Sequence, residues 1–362
     1  MKVLMLVSRL NLGGTEKYIL SISQYLQARG VQVGVASMGG PLMRSFQGSG
    51  IKVHLLSGDE SSALKQLSSI ITRESYRMVN AHDSKSFRYA AALHRQRKIP
   101  LIVTVHGTYH HKPSLLTAAK AARRIITVSP KLSKWLIGLH LPPSKIKTIL
   151  NGINTSVFHP ASQLSEKGRR RQSLHLPSSA QLLVYAGRFS HDKYPIARKV
   201  IMAAERIARN NRHFAAVLYG PGSLRSQLAQ QAAEVNRRLG RQAVYVRPPL
   251  SSIQHAYYAA DVVVGTGRVA LEAMACAKPV VATGVAGYCG IVAPSNVNRI
   301  IQCHFGDHGA LGPLTVQRLA NDINQLLNNP RRARQLGDFG LRTVRGRYSM
   351  NKVGSQLIQY YK

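Results

Sequence analysis

Four short stretches carry residues whose types and spacing suit chemistry on a polar, anionic small molecule. Near the start, Asn11-Leu12-Gly13-Gly14-Thr15-Glu16 precedes a helical pattern that runs to about Arg29. Paired glycines there let a ligand approach a backbone whose free N–H groups open a helix, which favours anionic or hydroxyl-rich groups. Gly13, Gly14 and Glu16 are therefore candidate contacts, although a plain tight turn, with Glu16 complementing the helix dipole, also fits. The pattern is not G-x-G-x-x-G, so a dinucleotide fingerprint is absent. His106 ends the run LIVTVHG, where an imidazole can hydrogen-bond a sugar hydroxyl, move a proton near neutral pH, or serve only structure. His110 and His111 follow closely, but the glycine after His106 implies a loop and no Glu lies nearby, so no metal site is expected.

In the second half, AGRFSHDK sets Arg188 directly after a strand-like run, with Lys193 five residues on. Two cations in one such loop can neutralise a diphosphate, the arginine with paired donors. Further along, ADVVV runs into Gly265-Thr266-Gly267-Arg268, and VALEAMACAK follows as a helix. Strand, glycine loop and helix N-terminus make a second phosphate cradle. Glu272 falls near the second turn of that helix, where it either accepts hydrogen bonds from a ribose or pairs with a neighbouring cation.

Positioning these residues requires strands that end beside them. KVLMLVS, VQVGVAS, MVNAH, LIVTVHG and RIITVS read as buried strands alternating with amphipathic helices, the pattern of a parallel sheet covered on both faces. The rhythm restarts with QLLVYAGR, HFAAVLYG, AVYVR, DVVVG and PVVAT. The expected fold is α/β with two Rossmann-like, doubly wound parallel-sheet domains: residues 1–160, a linker at 161–180, and residues 181–345. A closing helix at 346–362 has Met350, Val353, Leu357 and Ile358 at helical spacing. In such sheets ligands bind beyond the carboxyl ends of the strands, so a cleft faced by both domains is the default site. Arg169-Arg170-Arg171 falls in the expected linker, where a solvated run is the ordinary reading and a binding patch the other.

The 362-residue length and the 44% apolar content suffice for two cores and exclude disorder. Charge is the outlying quantity: 50 Lys+Arg against 14 Asp+Glu gives +36. Up to Pro160 there are 22 basic and 5 acidic residues, and beyond it 28 and 9, so both halves carry the excess. Such a field attracts nucleotide substrates, anionic lipid or nucleic acid without choosing among them. Dispersed charge, 6% aromatics and no recognised motif argue against nucleic acid. Cys276, Cys289 and Cys303 lack metal-type spacing and are odd in number, which fits a reduced compartment. The apolar run at the N-terminus is too short for a signal sequence, and no stretch reaches the roughly 18 residues of a membrane helix. A cytoplasmic protein is expected, or one peripheral on the cytoplasmic face of a membrane. Ser84–Lys98 and Ser114–Arg124, basic with apolar faces, are the candidate contacts with an anionic surface.

Taken in order, these segments resemble the retaining nucleotide-sugar glycosyltransferases of the GT-B type, specifically glycosyltransferase family 4. The resemblance runs through GGTEKYIL, VNAHD, IPLIVTVHG, TVSPKLSKWL to ILNGINTSVFHP, AGRFSHDK, YGPGS and LEAMACAKPVVAT, and ends in a terminal helix that in the family returns to the first domain. It implies that Gly14 meets the donor phosphate and, with Gly13 and Glu16, the acceptor side. It implies that His106 contacts the transferred sugar, that Arg188 and Lys193 hold the diphosphate, and that Glu272 holds the donor ribose. It further implies no cofactor and no metal, cations and helix ends stabilising the leaving diphosphate. The donor would be a UDP- or GDP-sugar, and the acceptor a glycan or lipid-linked molecule of polysaccharide, envelope or glycolipid synthesis. The chain departs from the family at one position. Family members carry two glutamates separated by seven residues, the first contacting the donor sugar, whereas counting back from Glu272 reaches Val264. Thr266 or backbone N–H groups of the Gly265–Gly267 loop are the expected substitutes. A nucleotide-sugar epimerase of the same fold and a non-catalytic protein that binds nucleic acid or an anionic surface are the alternatives.

Overall fold

The structure is a computed structural model that describes residues 1–163 and 165–361. It divides into two compact units, Met1–Gly152 together with the chain from Met350 on, and Ile153–Ser349.

In the first unit seven strands are laid down in chain order: β1 Lys2–Leu6, β2 Gln32–Ser37, β3 Lys52–Leu55, β4 Met78–Ala81, β5 Leu101–Val105, β6 Arg124–Thr127 and β7 Ile146–Thr148. All pair in parallel in the spatial order β3-β2-β1-β4-β5-β6-β7. The central strands are continuous apolar runs because helices cover both faces and leave no solvated side to alternate with. Val3, Leu4 and Met5 of β1 are fully buried, as are Leu101, Val103 and Val105 of β5. The order reverses between β1 and β4, so the loops after these strands diverge to opposite faces and open a crevice at their carboxyl ends. Ser8 in the loop after β1 donates from its backbone N and its Oγ to Asp83 Oδ2, both at 2.7 Å. Asp83 also caps the helix Ser84–Arg97, which ties the two sides of the reversal together.

The helix Met350–Tyr361 completes this unit. Met350, Val353 and Leu357 are buried in its core, and Tyr361 joins them. Gly354 lets the helix approach Tyr25 closely, and the Tyr361 hydroxyl accepts from Asn80 Nδ2 at 2.5 Å.

The second unit contains β8 Gln181–Ala186, β9 Phe214–Tyr219, β10 Val244–Arg247, β11 Val262–Gly265, β12 Val280–Gly284 and β13 Gly287–Ile291. The order is β10-β9-β8-β11-β12-β13, parallel except for β13, which returns antiparallel to β12. A two-residue connection permits only a hairpin, not a crossover. Here the reversal lies between β8 and β11, so the Arg188–Lys193 loop and the Gly265–Gly267 loop flank one switch point.

Two expectations are corrected. The stretch 161–180 is not a solvated linker, for the helix Glu166–Ser173 forms within it and belongs to the second unit. Arg171 is 3% exposed and donates to the carbonyls of Ala259, Ser178 and Ala180 and to Asp261 Oδ2. Arg169 and Arg170 pair with Glu166. One arginine of the run thus satisfies buried carbonyls that would otherwise lack donors, and the other two are solvent-side ion pairs. The second correction concerns the candidate membrane segments. Phe87, Tyr89, Ala90, Ala91 and Leu93 of the helix Ser84–Arg97 are core residues, as are Leu115, Ala118 and Ala119 of the helix Lys112–Ala121. Their apolar faces serve the fold and are not presented to a lipid surface.

Candidate functional site

In the second unit the loop after β8 is fixed from below. Phe189 is fully buried, and its backbone N donates to Pro221 O at 2.7 Å. The YGPGS motif follows β9 for a packing reason. A side chain at Gly220 would run into Gly187 O, and a side chain at Gly222 into Phe189 O, so only glycines let the two loops touch. This anchoring presents Lys193 at the start of the helix Tyr194–Asn210. Its ammonium is nearly buried and binds Asp307 Oδ1 at 2.5 Å. Arg188 stands more open, about half exposed, with Asp192 Oδ2 at 3.8 Å.

Across the switch point, Thr266 precedes the helix Gly267–Ala275 without capping it through its side chain. Its Oγ1 is buried and has no hydrogen-bond partner among the described residues. Gly267 has φ +50°, a conformation glycine adopts without steric cost. A methyl group there would also lie 3.1 Å from His304 Nε2 and 3.8 Å from Asp307 Oδ2. The N-terminus of this helix, Lys193 and the turn carrying Asp307 therefore converge. N–H groups with no intrahelical partner and a lysine together suit a phosphate.

Glu272 is differently placed from a free ribose ligand. It is 2% exposed, takes Arg268 Nε on Oε1 at 2.7 Å and the Tyr257 hydroxyl on Oε2 at 3.3 Å. The carboxylate is already engaged in an i,i+4 ion pair, the neighbouring-cation alternative of the sequence reading. Gly265 ends β11 against Val269, and Val264, the preceding residue of that strand, is a core side chain.

Residues 303–308 were not marked by the sequence pattern. After the helix Val297–Gln302, His304 and Phe305 adopt φ +49° and +54°. Ala286 N donates to Gly306 O at 3.0 Å, pinning the turn to the β12–β13 hairpin. His304, Asp307 and His308 are the one group among the described residues with metal-ligand atoms gathered within 4.8 Å. Burial, then His308, pushes the His304 imidazole down to about 3, so it is neutral. Burial alone would raise the Asp307 carboxyl, but Lys193, together with His304 and His308, more than offsets it and the group stays below the usual carboxylate range. The tie of Asp307 to Lys193, 114 residues away, leaves no local signal in the sequence.

In the first unit His106 follows β5 as expected, 7% exposed. Its Nε2 lies 3.1 Å from His82 Nδ1, and its backbone N donates to His110 Nε2 at 3.4 Å. His110 thus clips the loop. Tyr18 meets both His82 and His106 edge-on. Burial, reinforced by His110, pushes His82 down to about 3, and burial pushes His110 down to about 4. Both rings are neutral, so one nitrogen of each lacks a proton and can accept. His82, the residue just after β4, was legible by the same logic as His106, since both end a buried strand. Gly13 caps the helix Gly14–Gln27, and the Glu16 carboxylate curls back against it, where a side chain at Gly13 would meet Glu16 Oε2. Space for a side chain at Gly14 is open.

Comparison with known proteins agrees with this layout. Residues 12–157 match the model of Glycosyltransferase Family 4, and residues 166–342 that of Glycosyl transferases group 1. The chain is 28% identical over 257 residues to D-inositol 3-phosphate glycosyltransferase of Thermobispora bispora, covering 66% of this chain and 56% of that protein. It is 27% identical over 259 residues to alpha-maltose-1-phosphate synthase of Mycolicibacterium smegmatis, covering 68% and 64%. The matches thus span less than two thirds of either relative. Among solved structures, Anabaena HepE in complex with UDP superposes with TM-score 0.79 over 99% of both chains at 20% identity, a likeness of fold.

Proposed function

The chain belongs to glycosyltransferase family 4, group 1, and from that premise we propose that it transfers a hexose or N-acetylhexosamine from a nucleoside-diphosphate sugar, with retention of anomeric configuration. The observation that carries the proposal is the convergence of Lys193 with the N-terminus of the helix Gly267–Ala275 at the β8/β11 switch point. An ammonium has three N–H donors. Asp307 uses one, which leaves Lys193 able to hold a phosphate oxygen without giving up its partner. Arg188, exposed beside it, adds a second cation. Charge developing on the leaving diphosphate is then met by groups already in place, and this preorganisation lowers the barrier without a metal.

We assign His106 to the transferred sugar and the Gly13–Gly14 turn to the acceptor side, on the residue-by-residue resemblance. The acceptor hydroxyl attacks the anomeric carbon on the face that the diphosphate leaves, and a departing phosphate oxygen takes its proton. The acceptor we favour is a phosphate-bearing polyol, glycan or lipid-linked molecule. The +36 charge favours such a molecule, and one relative is named for inositol 3-phosphate. No helix among the described residues is long and apolar enough to cross a membrane, and the three cysteines are free. The free cysteines fit an enzyme working in a reducing compartment. The test is a screen of UDP- and GDP-sugars for thermal stabilisation, followed by measurement of nucleoside diphosphate release and of the product's anomeric configuration. Stabilisation by one nucleotide series and a retained anomer are expected; no stabilisation by any nucleotide overturns the proposal. Formation of an epimer without acceptor would replace it with the epimerase reading.

A further inference from the structure

The helix Pro330–Arg347 of the second unit buries Ala333, Leu336, Gly337, Gly340 and Val344. A side chain at Gly337 would meet Ala277 O, and one at Gly340 would meet Met274. The two glycines therefore seat this helix closely on the helix Gly267–Ala275 and the residues just after it. By helical spacing the opposite face carries Arg331, Arg334, Arg342 and Arg345, all exposed. Among the described residues no carboxylate forms an ion pair with these four or with Arg332 beside them. Elsewhere in the same unit Arg209 and Arg238 share Glu205, and Arg169 and Arg170 share Glu166. Arg331, Arg332 and Arg342 line a groove of about 540 Å³ whose walls also include Pro294, Leu336 and Phe339. Its place in the fold follows from the sheet. β13 runs antiparallel to β12, so Pro294, just beyond its end, lies at the amino ends of the parallel strands. Gln181 Nε2, on the first residue of β8, donates to Leu327 O just ahead of the groove helix. Lys193 and the Gly265–Gly267 loop are at the carboxyl ends, so the groove lies at the other end of the sheet.

We propose that this groove is an anion site separate from the phosphate cradle, and that it takes a small organic phosphate, one or more phosphoryl groups joined to a ring. Three guanidiniums without carboxylate partners offer planar forks of N–H donors that match phosphate oxygens. Held side by side they repel one another, and a bound anion removes that repulsion. Asp338, the acid of this helix, does not line the groove, so no carboxylate opposes the ligand there. Inorganic phosphate would engage the cations and leave the apolar walls unused. Phe339, half-buried, together with Pro294 gives a ring on the same ligand a surface to lie on. The volume is that of a small-molecule site, for which roughly 300–1,000 Å³ is usual.

The experiment titrates ATP, pyrophosphate and UDP calorimetrically at about 0.15 M salt, where charges more than about 8 Å apart are largely screened. Arg331→Ala/Arg342→Ala removes two cations of the groove, and Arg334→Ala/Arg345→Ala removes two from the same helix outside it. All four arginines are exposed, so each double variant should melt within about 2 °C of the unaltered protein. The expected result is ATP affinity about tenfold to hundredfold lower in the groove variant and within about threefold in the other. UDP affinity stays within about threefold in both, because the cradle is at the far end of the sheet. Phe339→Ala should weaken ATP about threefold to tenfold and leave pyrophosphate unchanged. ATP affinity equal in the two double variants would reduce the groove to a general positive field and overturn the site. No ATP binding by the unaltered protein, or UDP lost together with ATP in the groove variant, would also overturn it. Phosphatidylglycerol vesicles that sediment the unaltered protein but not the groove variant, with neither ATP nor pyrophosphate bound, would overturn it in favour of a lipid headgroup. ATP held at the groove by a protein that binds no UDP supports this site and removes the donor reading instead.

Discussion

The Lys193–Asp307 pair allows stability and donor binding to be separated. Lys193→Met alone leaves a carboxylate where burial opposes its charge. Removing one partner of a buried pair costs about 3–5 kcal/mol. Asp307 keeps 26% of its side chain exposed, so the loss belongs at the low end, about 3 kcal/mol at neutral pH. For a unit of this size that is a fall in melting temperature of about 6–12 °C. The double variant Lys193→Met/Asp307→Asn removes the stranded charge and recovers most of that loss. It does not recover the phosphate ligand. Thermal unfolding followed by circular dichroism, together with calorimetric titration of UDP, reads both quantities. We expect the double variant to melt within about 3 °C of the unaltered protein and to bind UDP about tenfold to hundredfold more weakly, the worth of one charge-assisted hydrogen bond. A single variant as stable as the unaltered protein would refute the buried-pair argument. A stable double variant with undiminished UDP affinity would refute the role of Lys193 at the diphosphate.

Other outcomes follow from the same structure. Arg188→Ala, at an exposed position with a weak 3.8 Å partner, should change stability by less than about 0.5 kcal/mol while lowering kcat/KM for donor about tenfold or more; equal kcat/KM would remove Arg188 from the site. Arg171→Ala should destabilise the second unit by about 3 kcal/mol or more in a melt, since it strands three carbonyls and takes one of the partners of Asp261, which keeps Lys167 and Leu182 N. His82 and His304 are held near 3 and His110 near 4 by burial, against about 6.5 unfolded. The unfolded chain therefore binds protons that the native chain does not, and stability falls as pH drops below about 6.5, by up to about 1.4 kcal/mol per group per pH unit. Urea melts at pH 7 and pH 5 check this, and replacing His82 by a neutral residue should flatten the slope.

Much of the fold was legible because buried parallel strands are unbroken apolar runs, as in QLLVYA and FAAVLY. The strands that escaped are those without such runs. KVHL and IKT, β3 and β7, are short edge strands of mixed polarity, and GYCGI of β13 is interrupted by glycine and set by its hairpin. The positions of Arg188 and of the Gly265–Gly267 loop were legible because both come just after strands, at the end of the sheet where the order reverses. What could not be read were partnerships set by tertiary packing. Glu272 is held by its own helix neighbour Arg268 and by Tyr257. Arg171, in a run that resembles a linker, is buried by carbonyls that only the folded chain assembles. His304 to His308 follow no strand pattern, and their nearness to Gly267 comes from the way the β12–β13 hairpin holds the turn.

The most direct test of the central claim is a crystal structure of the protein with UDP. The β-phosphate is expected within hydrogen-bond distance of Lys193 Nζ and of the first backbone N–H groups of the helix Gly267–Ala275. A diphosphate bound elsewhere, with Lys193 engaged only by Asp307, would contradict it.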